Sequence, residues 1–313
     1  MRVQRSTPGQ WSLRSWLRPE LVVALGLWAS AACGGTDPGV VSVGPAPAAV
    51  GVGQHSADAA VVVGDAALAA ADASTAVGAA AGDAAAAAQT LHVLFVGNSY
   101  TSTNDLPAWV QRLAASEHKP PQIQVEAITP GGVSFADHWM STGALARIQQ
   151  GGLTHVVLQA QSVEPVGFTA SFEQYGELLI AEVKKAGATP VLYETWARQA
   201  GDAVYAETWS GGNPTAMQAG LRSAYVTLAQ KAGAREAPVG DAWQTVLSKD
   251  SKIPLFAPDG SHPTEHGTYL AACVIYETLT GRSPVGIADH PASVTLAESS
   301  TLANVAHATV SAK

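Results

Sequence analysis

Leu91-His92-Val93-Leu94-Phe95-Val96-Gly97-Asn98-Ser99-Tyr100 is the first strong strand signal of the chain. It is an apolar run of strand length that stops at a glycine and is followed at once by a serine. Beyond it, apolar runs of similar length alternate with longer amphipathic stretches, the signature of β-α-β units and a parallel sheet. Strands are expected near Leu91–Val96, Ile123–Ile128, His155–Gln159, Pro190–Glu194 and Arg235–Val239. Helices are expected near Leu106–Glu117, Ala144–Gln150, Ser171–Lys185, Thr215–Lys231 and Thr264–Thr280, the last opened by Pro263 and closed by Gly281. Met217, Leu221, Tyr225 and Leu228 share one face of the fourth helix and read as a core stripe. The pattern predicts a three-layer α/β/α domain around a five-stranded, mostly parallel sheet.

Open sheets of this kind bind ligands beyond the carboxyl ends of their strands. Ser99 follows the first strand there, Gly131-Gly132 the second, Gln159-Ala160-Gln161-Ser162 the third and Glu194-Thr195-Trp196 the fourth. Near the far end stands Asp259-Gly260-Ser261-His262-Pro263. A serine alone is a poor nucleophile at neutral pH, but an imidazole can take its proton while a carboxylate holds the imidazole in one tautomer. A three-residue spacing lets one tight turn present Asp259 and His262 towards the same point. Singly, Ser99 reads as a helix cap, Asp259 as an Asx turn with Gly260, and His262 as a surface residue. Together they read as a split Ser-His-Asp hydrolase.

These blocks, in this order, resemble the SGNH/GDSL hydrolase family, whose motifs are Gly-x-Ser after strand one, a glycine after strand two, an Asn block after strand three and Asp-x-x-His near the end. The resemblance spans residues 91–283 and implies a flavodoxin-like architecture. It implies Ser99 as nucleophile, His262 as general base and then acid, and Asp259 as the carboxylate that orients His262. The oxyanion donors it implies are the backbone N–H of Ser99, that of Gly132 (Gly131 in the alternative register) and a side-chain amide from the third block. Here the chain departs from the family: Val156-Val157-Leu158-Gln159-Ala160-Gln161-Ser162 contains no Asn. Gln161 aligns to that position, with Gln159 as its rival, as in a subgroup with a Gln-x-Gln-Ser block. Glutamine offers the same N–H on a longer stem, so the role requires the backbone to retreat or the side chain to fold back.

Trp196 is a candidate for stacking on a sugar ring, or else it closes the core. His138 is a second candidate contact. Neither His138 nor His266 sits in a metal-ligand pattern such as His-Glu-x-x-His, and no metal or organic cofactor is expected. The Gly-x-Ser-x-Gly elbow is absent, since Gly97-Asn98-Ser99-Tyr100-Thr101 ends in threonine.

The 313-residue chain carries a formal charge of −8 at pH 7. Much of that charge lies in Asp37, Asp58, Asp65, Asp72 and Asp83, away from the expected domain. No basic patch suggests a nucleic-acid partner. Arg2, Arg5, Arg14 and Arg18 precede the apolar run Leu21–Ala32 and Cys33, the layout of a secretory signal over residues 1–33 whose apolar run is too short to span a bilayer. Ala29-Ser30-Ala31-Ala32-Cys33 resembles a lipobox with Ser30 in place of Leu, so Cys33 is read as a lipidation site, with plain cleavage and release as the alternative. Residues 34–90 hold no aromatic residue, Lys or Arg and read as a tether that cannot bury enough surface to offset its ordering entropy. Cys273, within Tyr269–Tyr276, reads as a core residue rather than a disulfide partner of Cys33. The catalytic domain is placed at 91–285 and a C-terminal extension at 286–313, with a helix between Pro291 and Ala312. The expectation is an exported, envelope-bound or secreted esterase acting on a small-molecule or glycan ester, touching membrane only through its anchor. A lipase-like or general carboxylesterase is an alternative, as is a non-catalytic carbohydrate-binding lipoprotein on the same fold.

Overall fold

The computed structural model describes residues 90–117, 121–249 and 252–313. The signal segment, Cys33 and the tether up to residue 89 lie outside the described residues.

Five strands, β1 (Leu91–Val96), β2 (Ile123–Ile128), β3 (His155–Leu158), β4 (Thr189–Tyr193) and β5 (Arg235–Ala237), form one sheet in the order β2-β1-β3-β4-β5. Every pairing is parallel: Leu91 faces Ile123, Val93 faces His155, His155 faces Thr189 and Val191 faces Arg235. The order reverses between β1 and its neighbours, so a crevice opens beyond the carboxyl end of β1, where Ser99 stands. The first two strand spans match the sequence reading. β3 and β4 end one residue earlier than expected, because Gln159 and Glu194 turn into the loops and spend their side chains there.

Alternation along the strands fills both faces. Val93, Phe95, Val157, Val191 and Tyr193 enter one core, while Leu94, Val96, Val156, Leu158 and Leu192 enter the other. The first core is closed by α2 (Leu106–Ser116), α8 (Val239–Ser248), α9 (Glu265–Thr280) and α10 (Leu296–Ser311); the second by α3 (Phe135–Met140), α4 (Ala144–Gln149), α6 (Thr169–Lys185) and α7 (Pro214–Ala232). Two four-residue turns complete the series, α1 (Ser99–Ser102) and α5 (Glu164–Gly167). A fully buried Leu, Ile or Phe contributes about 1.5–3 kcal/mol, whereas an exposed pair such as Arg147–Glu126, 2.7 Å apart, contributes about 0–1 kcal/mol. The two apolar layers therefore hold the sheet.

Helix ends follow local chemistry. Thr264 caps α9 by accepting from Gly267 N, and Gly281 closes it at φ 70°, a left-handed position that favours glycine. α3, absent from the sequence reading, is nucleated by a capping box in which Ser134 accepts from Asp137 N while the Asp137 carboxylate accepts from Ser134 N. α8 begins at Val239, a residue that the sequence reading spent on strand five. The segment set off as a C-terminal extension carries α10, whose Leu302, Ala303, Val305 and Ala306 belong to the same core as α9. Cys273 is buried in that core, and burial pushes its thiol up to about 12.

One of the buried polar groups is a carboxyl at a strand end. Glu194 is fully buried just after β4; its Oε1 accepts from Gln218 Nε2 at 2.6 Å and its Oε2 has no hydrogen-bond partner among the described residues. Burial, reinforced by the carboxylates of Asp241 and Glu236, holds the carboxyl well above its ordinary range. The folded protein keeps this proton where the unfolded chain releases it, at about pH 4. This group therefore subtracts stability as pH rises above about 4. Glu194→Gln is expected to gain on the wild type in denaturant midpoint between about pH 4 and 7, and parallel midpoint curves would contradict the buried proton.

Candidate active site

β1 hands the chain to α1 through Gly97 and Asn98. Asn98 is the N-cap: its Oδ1 accepts from Tyr100 N at 3.1 Å, and its carbonyl accepts from Thr101 N and Ser102 N at 2.9 and 3.0 Å. Its Nδ2 donates to Val133 O at 3.1 Å, tying this turn to the glycine loop after β2. From beneath, Gln159 Oε1 accepts from Asn98 N and Thr101 Oγ1, each at 2.9 Å. A Cβ on Gly97 would lie 2.5 Å from Thr101 Oγ1 and 2.7 Å from Gln159 Oε1, so the turn requires glycine. These constraints fix Ser99 as the first residue of α1, half-buried at the crevice.

The partner turn comes from the loop before α9. Asp259 Oδ1 accepts from Ser261 N and His262 N, both at 3.0 Å, an Asx turn completed by Gly260 at φ 69°. Its Oδ2 lies 2.6 Å from His262 Nδ1, and His262 Nε2 lies 2.8 Å from Ser99 Oγ. With Nδ1–H donating to the carboxylate, Nε2 is the acceptor for the serine hydroxyl. Burial pushes the Asp259 carboxyl up, but bonds from the His262 ring and two backbone N–H groups outweigh it and hold the group below the usual carboxylate range. Ser99, His262 and Asp259 are thus brought together, though the serine and histidine are 163 positions apart in the chain.

An aromatic stack locks the two turns together. Tyr100 lies parallel to Trp196, with centroids 4.5 Å apart, and Trp196 lies parallel to Trp243 at 3.8 Å. Ser261 joins both rings to the histidine loop: its Oγ is 2.8 Å from Tyr100 Oη and its carbonyl accepts from Trp196 Nε1 at 3.0 Å. The His262 ring stands edge-on to Tyr100 at 5.6 Å. Trp196, at 1 % exposure, is therefore a core residue and offers no face to a sugar. His138 is corrected in the same way. It is 1 % exposed, its Nε2–H donates to Gly97 O at 2.9 Å and its Nδ1 accepts from Thr142 Oγ1 at 2.9 Å. Burial lowers its pKa, so it braces the Ser99 turn as a neutral ring.

The third block divides its two glutamines. Gln159 is fully buried, with Oε1 engaged as described and Nε2 donating to Ala160 O, so it supports Ser99 and is no free donor. Gln161 folds back: its Oε1 accepts from Val163 N at 2.8 Å, which orients the amide, and its Nε2 has no partner among the described residues. Its backbone N–H donates to Glu164 Oε2 at 3.2 Å, and the same oxygen accepts from Phe135 N at 3.1 Å, clamping this block to the start of α3. Gly132 is half-buried at φ 74° on the loop held by Asn98, while Gly131 is exposed. The sequence reading missed Asn98, Tyr100 and Ser261 as positioning residues. Only Asn98 carried a local signal, a cap-forming side chain ahead of a helix. Among the described residues no cluster of three His, Cys, Asp or Glu side chains can hold a metal ion.

No protein-family model and no curated protein matches the chain. Solved structures do. A candidate SGNH hydrolase from Slackia heliotrinireducens is 29% identical over 61% of this chain and 100% of its own, with a TM-score of 0.53. A DUF4886 family protein from Bacteroides uniformis is 18% identical over 71% of this chain and 95% of its own, with a TM-score of 0.60. An acetylxylan esterase from Geobacillus stearothermophilus, 15% identical over 61% and 95% with a TM-score of 0.48, is too distant to bear on substrate. Sheet order, helical layers and the likeness to the Slackia structure make the fold of the described domain an α/β fold matching that of an SGNH hydrolase neighbour.

Proposed function

We propose that this protein is an exported serine esterase of the SGNH type, in the subgroup with a Gln-x-Gln-Ser third block, held at the envelope by a lipid on Cys33. The observation that carries the catalytic reading is the relay of Ser99 Oγ, His262 and Asp259 through contacts of 2.8 and 2.6 Å. Ser99 Oγ attacks the ester carbonyl as its proton passes to His262 Nε2. The tetrahedral oxyanion is met by the N–H groups of Ser99 and Gly132 and by the Gln161 amide. Collapse expels the alcohol, which takes the proton from His262 and leaves an acyl-Ser99 ester. Water, deprotonated by the same imidazole, then releases the acid and restores the serine.

The preferred substrate is a small O-acyl group on carbohydrate. A series of nitrophenyl esters from acetate to palmitate is expected to give its highest kcat/KM at acetate, with acetate released from acetylated glycans. Preference for long chains with no release from glycans would favour a lipase-like enzyme instead.

The acid limb of the pH profile carries a sign. Protonated His262 cannot accept the Ser99 proton, so activity falls as pH drops. Asp259, its carboxyl held low, keeps its charge further into acid than an ordinary carboxylate. A flat profile from pH 4 to 7 would contradict the role of His262.

A further inference from the structure

The loop after β4 brings a cation to the rim of this site. Arg198, half-buried, donates from Nη2 to Oγ of Ser162, the residue after Gln161, at 2.8 Å. Its guanidinium carbon lies 5.9 Å from the centroid of the Tyr100 ring, the ring that also carries the His262 imidazole at 5.6 Å. The following residue, Gln199, donates its N–H to Gly260 O at 2.9 Å, inside the Asp259–His262 turn. The Arg198 carbonyl accepts from Tyr205 Oη. The guanidinium is thereby set against the third block and near the Tyr100 ring, and the backbone that carries it is tied through Gln199 to the histidine turn.

A guanidinium is a permanent cation with five N–H donors, and one taken partly out of water is normally paired with a carboxylate. Arg198 makes no ion pair among the described residues, and Ser162 is its only side-chain acceptor there. The acids around it are engaged elsewhere. Asp259 serves His262, Asp202 accepts from Val204 N, Glu164 accepts from Phe135 N and Gln161 N, and Glu194 is buried against Gln218. Folding thus leaves a positioned cation with open donors 5.9 Å from the centroid of the same Tyr100 ring that the His262 imidazole meets at 5.6 Å.

We propose that Arg198 is a specificity residue that binds an anionic group, a carboxylate or a phosphate, on the alcohol part of the ester. This rests on the esterase reading above, in which the acyl group is small and uncharged, so that the charge must lie on the alcohol. A planar carboxylate suits the fork of a guanidinium in two-point contact; a phosphate offers the same charge with tetrahedral oxygens.

The test compares the wild-type protein on three substrates, each as its mixture of mono-O-acetyl isomers: methyl glucuronoside, methyl glucoside and methyl glucoside 6-phosphate. The glucuronoside, the phosphate or both are expected to exceed the neutral sugar in kcat/KM by tenfold or more, chiefly through KM, with the ratio shrinking as salt is raised. The larger of the two ratios identifies the anion. Arg198→Ala is expected to bring the ratio to about one, and Arg198→Lys to keep part of it. Labelling of Ser99 by a fluorophosphonate checks that each variant is folded. Equal turnover of charged and neutral sugars by the wild type overturns the inference and leaves the esterase reading intact. No turnover of any ester and no labelling of Ser99 overturns both.

Discussion

Ser99→Ala is expected to lower kcat for an ester substrate by about four orders of magnitude or more, with little change in KM. That corresponds to more than about 5 kcal/mol of barrier. The methyl group keeps the shape of the turn, because Asn98 and Gln159 hold the backbone rather than the serine side chain. It removes the oxygen proposed to accept the acyl group. His262→Ala is expected to cost a similar factor, and the double variant little more, since the two groups act as a unit. Residual activity above about a tenth of wild type in Ser99→Ala, measured with nitrophenyl acetate, would place the chemistry elsewhere.

The largest stability effect is expected at Gly240, in the first turn of α8. A Cβ there would lie 2.2 Å from the Thr195 carbonyl oxygen and 2.2 Å from Gln218 Nε2. The carbonyl belongs to backbone and cannot swing away, so Gly240→Ala must move α8 or the β4 loop. Overpacking of this kind costs about 2–3 kcal/mol, a fall of about 5–10 °C in melting temperature for a domain of this size. Gln218 also accepts from Ala197 N at 2.8 Å, so displacing it loosens the loop that carries Trp196 and Arg198. Activity should therefore drop further than the loss of folded protein explains. A melting temperature within about 1 °C of wild type would show that the helix start is more yielding than its contacts indicate.

Much of the scaffold was legible because it depends on short-range pattern. Leu91–Val96, an apolar run, and Ile123–Ile128, which largely alternates apolar with polar residues, are strands in the sequence reading and in the structure alike, since both patterns are bounded by turn residues and leave little choice. The Asp259 to His262 spacing also declared itself, because an Asx turn is a local device. What stayed hidden depends on partners distant in sequence. α3 is short and rests on a capping box and on Glu164, which reaches Phe135 N from across the third block. α8 follows β5 after Pro238 alone, leaving no loop to mark the change from strand to helix. Trp196 read equally well as a ligand platform or as core; only the planes of Tyr100 and Trp243 on either side decide for core. Gln159 and Gln161 are identical in type and two residues apart, yet one is buried as a brace and the other keeps an open amide.

Whether the Ser99 hydroxyl is the group that His262 activates is read by incubating the protein with a fluorophosphonate and mapping the adduct by peptide mass spectrometry. One adduct per chain is predicted, on the peptide containing Ser99, forming more slowly as pH falls and absent from Ser99→Ala. An unmodified Ser99 peptide, or an adduct on another residue that persists in Ser99→Ala, would contradict it.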